Sequence, residues 1–153
     1  MRIILCLILF LFPFNIKGEA SYGEQNQQFQ FSVFPIVGNE KVNFELTIKN
    51  NQQLPLSFEF PSSQFYEITV SDASGHEVYR YSKGRFFLQA LQTLTIEPNQ
   101  TYRKVENWDY KVNGKRVPTG KYTVTATLLP RKLNDKPLSN KQTLVSKTEI
   151  HLP

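Results

Sequence analysis

Residues 108–128 read WDYKVNGKRVPTGKYTVTATL and carry the clearest structural signal in the chain. Trp108 opens a loop that contains two glycines and a proline, and Tyr122 then leads into the alternating residues 123–128. Glycine and proline are typical of tight loops, and alternation of apolar and polar residues predicts a half-buried strand. The stretch therefore predicts the scaffold of a β-sandwich rather than the active site of an enzyme.

The same period of two runs through most of the chain. The alternating segments cover 29–33, 42–49, 54–61, 66–70 and 123–128, with a weaker pattern over 143–152. A turn at 72–75 connects one of these segments to a hairpin partner over 77–81. Because no stretch shows a helical period, we predict an all-β fold, an antiparallel immunoglobulin-like β-sandwich of seven to nine short strands. Residues 82–92 are compatible with a loop or with a single helical turn.

The length of 153 residues suits one domain, and 40% hydrophobic residues are enough for a packed core. We divide the chain into four parts. These are a signal peptide over 1–20, an N-terminal segment with the first strand over 21–39, a sandwich core over 40–130, and a basic loop with the C-terminal strand over 131–153.

The N-terminus predicts export. Arg2 precedes an apolar run over 3–14, and small residues at 18–20 offer a cleavage site, which is the pattern of a secretory signal peptide. A transmembrane anchor is the alternative, but this run is shorter than the roughly 20 apolar residues that cross a bilayer. We therefore expect a secreted or cell-envelope protein, in contact with a membrane only if the segment is retained.

Cysteine content and charge narrow the class of protein further. Cys6 is the only cysteine, so the chain after cleavage would have neither a disulfide nor a thiolate site, which fits a Gram-positive secretion route. The net charge is +5, and part of the excess lies in the proline-containing segment 130–141. We interpret that segment as a solvated loop, and no nucleic-acid-binding motif is present.

The supply of catalytic groups is small. The two histidines, His76 and His151, lie beside a turn glycine and near the C-terminus, where exposed surface is expected. Neither a cluster of His and Cys nor an aspartate-rich calcium loop occurs in the sequence. Asp109 is expected to accept backbone hydrogen bonds in its own loop. We therefore predict no enzyme activity, no catalytic residue, no metal, no cofactor and no small-molecule substrate.

Several motifs together resemble one known family. The resemblance rests on motifs that follow one another along the chain: Asn50, LSFEF at 56–60, YRYS at 79–82, Phe87, Pro98, the pair Trp108-Asp109, and the stretch 114–122. Over about residues 40–130 this order is similar to the intracellular proteinase inhibitor family called BsuPI. The resemblance implies an immunoglobulin-like inhibitor domain and subtilisin-type serine proteases as targets. The family motif in this sequence consists of Trp108, Asp109, Gly114, Pro118, Gly120 and Tyr122.

An inhibitor of this kind presents an exposed, preorganised loop to the protease, because ordering the loop in advance reduces the entropy lost on binding. The first candidate loop comprises Ser82, Lys83, Gly84, Arg85, Phe86 and Phe87. Phe86 and Phe87 point to opposite faces of an extended chain, so only one of them enters the core easily. The second candidate loop comprises Arg131, Lys132 and Leu133, with Leu133 as its apolar anchor.

The sequence thus supports two functions. The first is a secreted proteinase inhibitor or protease-binding module directed at subtilisin-type serine proteases, with a serine protease as its protein partner. The alternative is a non-inhibitory β-sandwich that serves as an interaction or adhesion domain at the cell envelope. An inhibitor should slow a protease when the two proteins are present in equal amounts, whereas a non-inhibitory domain should leave the rate unchanged.

Overall fold

The computed structural model describes residues 28–138 and 144–153, so the predicted signal peptide lies outside the described residues. These ranges contain thirteen strands and no helix. The strands are β1 (Phe29–Val37), β2 (Val42–Asn50), β3 (Leu56–Phe60), β4 (Tyr66–Asp72), β5 (Glu77–Arg80), β6 (Gln92–Ile96), β7 (Thr101–Trp108), β8 (Lys111–Val112), β9 (Lys115–Arg116), β10 (Gly120–Leu128), β11 (Lys132–Leu133), β12 (Lys136–Pro137) and β13 (Leu144–Leu152).

The paired strands are antiparallel and form four sheets in the described residues. Their orders are β1-β2-β7, β13-β10-β4-β5, β12-β11-β3-β6 and β8-β9. The prediction of an all-β antiparallel sandwich is confirmed. Nine strands have four or more residues, which agrees with the prediction of seven to nine strands. The other four strands have two residues each. A two-residue strand is too short to show alternation in the sequence.

The core follows from the alternation. On β2, Val42, Phe44, Leu46 and Ile48 are buried while the residues between them are half-buried or exposed. The same pattern on β4 and β10 brings the three-stranded sheet and the sheet centred on β10 into one apolar cluster. A second cluster surrounds β3 and includes its three inward residues. Full burial of one such side chain stabilises the fold by about 1.5–3 kcal/mol.

Residues 108–122 form a frame at one end of the sandwich. Trp108 is buried and donates from Nε1 to the Lys111 carbonyl at 3.1 Å. Asn113 and Gly114 both have positive φ, 52° and 77°, as a two-residue turn between β8 and β9 requires. The Tyr122 hydroxyl donates to the Pro118 carbonyl at 2.7 Å and so fixes the entry into β10. These contacts hold the frame together.

Candidate protease-contact loop

The first candidate loop lies in the connection between β5 and β6, and we call residues 82–91 of this connection the contact loop. It contains turns but no helix, so the loop interpretation of this segment is correct. Backbone hydrogen bonds from Lys83 to the Arg80 carbonyl (3.2 Å) and from Arg85 to the Ser82 carbonyl (3.1 Å) form its first bend. Gly84 has φ +74° with nothing near its Cβ position, so backbone conformation rather than space favours glycine.

The two phenylalanines of the contact loop face opposite ways. Phe86 is fully exposed, and its possible entry into the core is therefore excluded. Phe87 is half-buried, with its ring centroid 5.9 Å from that of Tyr81. Leu88 and Leu91 are exposed as well, so the loop carries three apolar side chains in solvent. Exposed large apolar side chains on one segment make it a candidate interaction surface.

Hydrogen bonds attach the contact loop to the sandwich on both sides of the two phenylalanines. At its start, the Ser82 N–H donates to Oε1 of Glu67 at 3.1 Å. Beyond the phenylalanines, Leu88 donates its N–H to the Ser63 hydroxyl (2.9 Å) and accepts the Ser63 N–H at its carbonyl (3.0 Å). Since the segment between these anchors is short, its backbone conformation is restricted before any partner binds.

A buried carboxylate supports the middle of the contact loop. Glu106 on β7 is 9% exposed, and its Oε1 accepts the hydroxyl of Tyr66 on β4 at 2.7 Å. Its Oε2 lies 3.6 Å from Nη2 of Arg85. The Arg85 guanidinium lies 4.2 Å from the ring centroid of Tyr81. Because a buried charge needs a partner, the carboxylate holds Arg85 against the sandwich.

Sequence reasoning missed Glu106, although a signal for it exists. On β7 the alternation places Glu106 on the same face as the buried Trp108. A carboxylate in phase with core residues predicts a partner of opposite charge. The sequence could not show that this partner is Arg85, because β7 and the contact loop are neighbours only in the folded structure.

Burial also affects the tyrosines around this carboxylate, which leads to a prediction for alkaline solution. Burial first, and then the hydrogen bond to Glu106, raise the pKa of Tyr66, and burial raises the pKa of Tyr79 to about 12. Their unfolded values are about 10. The stability that these two neutral hydroxyls contribute is therefore complete below about pH 10. It is lost as the pH rises through the raised pKa values of the folded state.

We expect the urea midpoint of unfolding to fall steeply between about pH 10 and about pH 12. The variant Tyr79→Phe removes one titrating hydroxyl but keeps the ring that stacks on Trp108 at 5.3 Å. Its midpoint should fall less over the same pH range. An equal fall in both proteins would show that Tyr79 titrates normally in the folded state.

The second candidate loop is part of the fold. Residues 132–133 form β11, which pairs with β3 and with β12. Leu133 is 7% exposed and belongs to the cluster around β3. Arg131 and Lys132 pair with Glu59, with Nε 3.0 Å and Nζ 3.5 Å from its Oε1. The expectation that Leu133 serves as the apolar anchor for a protease is therefore wrong, because its side chain is buried inside the sandwich.

All six family-motif residues lie in the frame, and none lies in the contact loop. Trp108 stacks on Tyr79 of β5, the strand that leads into the loop. Asp109 is exposed and accepts the Lys111 N–H at 3.2 Å, as a structural role predicts. The side chain of Lys111 lowers the pKa of Asp109. The motif thus supports the strand from which the contact loop begins.

The two histidines are exposed, as expected, and His76 lies 3.5 Å from the carboxylate of Asp72. In residues 28–138 and 144–153, no three His, Cys, Asp or Glu side chains are arranged to hold a metal ion. Over the same described ranges, no helix has the length and apolar character needed to span a bilayer.

Several solved structures are similar to parts of this chain. A β-glucosidase from Kluyveromyces marxianus has 17% identity and a TM-score of 0.43, with 86% of this chain and 15% of that chain covered. A penta-heme cytochrome c552 from Thermochromatium tepidum has 12% identity and a TM-score of 0.44, with 81% and 40% covered. This chain thus spans less than half of either protein. Because the identities and TM-scores are low, we infer nothing from these two proteins.

A search of curated proteins finds no match. The model of the BsuPI family, described as "Intracellular proteinase inhibitor", matches residues 29–133. The description of the family as intracellular contradicts our expectation of a secreted or cell-envelope protein. That expectation rests on residues 1–20, which lie outside the described part of the chain. The match covers more than half of the 153 residues and includes the sandwich strands β1 to β11. The chain therefore belongs to the BsuPI family of proteinase inhibitors.

Proposed function

We propose that this protein inhibits subtilisin-type serine proteases and that it presents residues 82–87 of the contact loop to them. The observation that carries the proposal is the full exposure of Phe86 on a segment held by Ser82 at one side and Leu88 at the other. Membership of a proteinase inhibitor family supplies the class of partner. The serine class and the subtilisin type come from the resemblance and are part of the proposal.

The physical basis is preorganisation. A flexible peptide loses conformational entropy when a protease binds it, whereas a loop that is already held in one shape loses less. Aromatic side chains that enter a pocket of the partner contribute much of the energy of such interfaces. The contact loop combines both features, because Phe86 is free in solvent while its neighbours Arg85 and Phe87 are held against Tyr81.

Titration of a subtilisin-type protease with the purified protein tests this function. The rate of hydrolysis of a chromogenic peptide should fall to near zero at about one equivalent of inhibitor. Gel analysis should then recover the inhibitor with its chain largely intact. The same titration against a cysteine protease is the control for class and should leave the rate unchanged.

Two outcomes contradict the proposal. A subtilisin-type protease that keeps its full rate at excess inhibitor would show that the protein does not inhibit this class of protease, and would favour the alternative of a non-inhibitory interaction module. A protease that digests the protein as an ordinary substrate would show that the contact loop is not held rigidly enough to resist turnover.

A further inference from the structure

Three consecutive side chains of the contact loop alternate between the sandwich and solvent. Arg85 folds back onto Tyr81 and towards Glu106, Phe86 points into solvent, and Phe87 folds back onto Tyr81. The peptide bond between Phe86 and Phe87 therefore joins an exposed residue to an anchored one. In the described structure, no hydrogen bond engages the backbone N–H or carbonyl of Phe86.

We propose that Phe86–Phe87 is the reactive bond, that Phe86 is the side chain that selects the protease, and that Arg85 and Phe87 are positioning residues. This inference rests on the proposed function. An extended segment with free backbone groups can pair with the edge of a protease cleft, as peptides do when they add a strand to a sheet. Phe86 offers free backbone groups, whereas those of Leu88 are already used by Ser63.

The chemical step is a reversible acyl transfer. The protease serine Oγ attacks the Phe86 carbonyl carbon, a new C–O bond forms, and the C–N bond to Phe87 breaks. The serine proton passes through the protease base to the Phe87 nitrogen, which leaves as an amine. In the reverse direction that amine attacks the acyl carbon, the C–N bond forms again, the C–O bond to the serine breaks, and the proton returns through the protease base to the serine Oγ.

The structure favours the reverse direction because both sides of the bond are tied to the same part of the sandwich. On the acyl side, Arg85 is held by Glu106 and by the face of Tyr81. On the amine side, the Phe87 ring contacts Tyr81 and the next residue, Leu88, is bound twice to Ser63. An amine that stays beside the acyl carbon has a high effective concentration, so it competes with hydrolytic water.

The chemistry of Phe86 also selects the partner. An exposed aromatic ring with no other role in the fold suits a protease whose primary pocket is apolar and deep enough for that ring. A pocket with a carboxylate at its base would reject it. We therefore expect selectivity for proteases that cleave after large apolar residues, and selectivity should change when this side chain changes.

Substitution of Phe86 tests the selectivity. Phe86→Ala should raise the inhibition constant for the subtilisin-type protease by about 30-fold or more, as expected for loss of a central aromatic anchor. Phe86→Lys should also weaken that inhibition and should create inhibition of a lysine-specific serine protease. Phe34→Ala is the matched control, because Phe34 is a 64% exposed phenylalanine on β1, and it should leave the constant unchanged.

Mapping of the cut tests the bond itself. After long incubation with a trace of protease, mass spectrometry should find one nick that separates Phe86 from Phe87. Arg85→Ala should accelerate that nick more than it weakens binding, because the acyl side loses its support. Arg103→Ala is the control, since Arg103 forms an ion pair with Glu45 elsewhere on the sandwich and should leave the nicking rate unchanged.

The outcomes distinguish this inference from the proposed function. If the unmodified protein inhibits the protease but Phe86→Ala is equally potent, or the nick falls at another bond, the reactive bond is wrong and the inhibitory function stands. If the unmodified protein inhibits no serine protease, the proposed function fails first. A nicking rate that is equal in Arg85→Ala and the unmodified protein would remove Arg85 as a positioning residue.

Discussion

Replacement of Asn50 by alanine should lower the free energy of unfolding by about 3 kcal/mol. Asn50 is fully buried at the end of β2. Its Nδ2 donates to the carbonyls of Leu54 (2.9 Å) and Ile96 (2.9 Å) and approaches that of Glu97 (3.2 Å). Its Oδ1 accepts the N–H of Gln52 at 2.8 Å. Alanine leaves these buried backbone groups without partners, and urea denaturation measures the cost.

The chain offers a matched control at the next position. Asn51 is exposed, so Asn51→Ala should change the free energy of unfolding by no more than about 0.5 kcal/mol. Asn50→Asp should destabilise the protein more than alanine does, because a carboxylate would face backbone carbonyl oxygens. Equal losses of stability for Asn50→Ala and Asn51→Ala would show that the backbone around Asn50 does not depend on the buried side-chain amide.

Replacement of Trp108 by alanine should cost about 3–5 kcal/mol, the usual range for loss of a buried large aromatic side chain. The indole stacks on Tyr79 with ring centroids 5.3 Å apart and meets Tyr110 edge-on at 5.7 Å. Its Nε1 also donates to the Lys111 carbonyl, so alanine removes a hydrogen bond as well as apolar contacts. Thermal unfolding followed by far-UV circular dichroism measures the loss.

The control for Trp108→Ala is another aromatic truncation. Phe86→Ala removes a ring that is fully exposed, so its melting temperature should equal that of the unmodified protein. This pair separates folding from binding, since one variant should lose stability and the other should lose inhibition. A large loss of stability in Phe86→Ala would mean that the ring supports the fold, and its effect on inhibition would then need the Phe86→Lys result for interpretation.

The main strands could be predicted from the sequence because a half-buried strand records its environment in every second residue. On β2 and β10 the burial pattern follows that alternation closely. The buried position of Leu133 could not be predicted in the same way, because β11 has two residues and its partner β3 lies more than seventy positions earlier.

The candidate site was predictable only in part. The sequence placed Phe86 and Phe87 on opposite faces, since neighbouring residues of an extended chain always differ in direction. Which of them faces solvent depends on the position of Tyr81 and on the anchoring of Leu88 by Ser63. Both contacts come from tertiary structure, and a local pattern cannot contain them.

The way in which the contact loop is held has a consequence for where the protein can work. Small inhibitors often fix such a loop with disulfides, which are lost in a reducing environment. Here the described supports are an ion pair, a cation–π contact, and hydrogen bonds that the backbone N–H groups of Ser82 and Leu88 donate to Glu67 and Ser63. Cys6 is the chain's only cysteine. The shape of the loop is therefore independent of the redox potential around it, and dithiothreitol should leave inhibition unchanged.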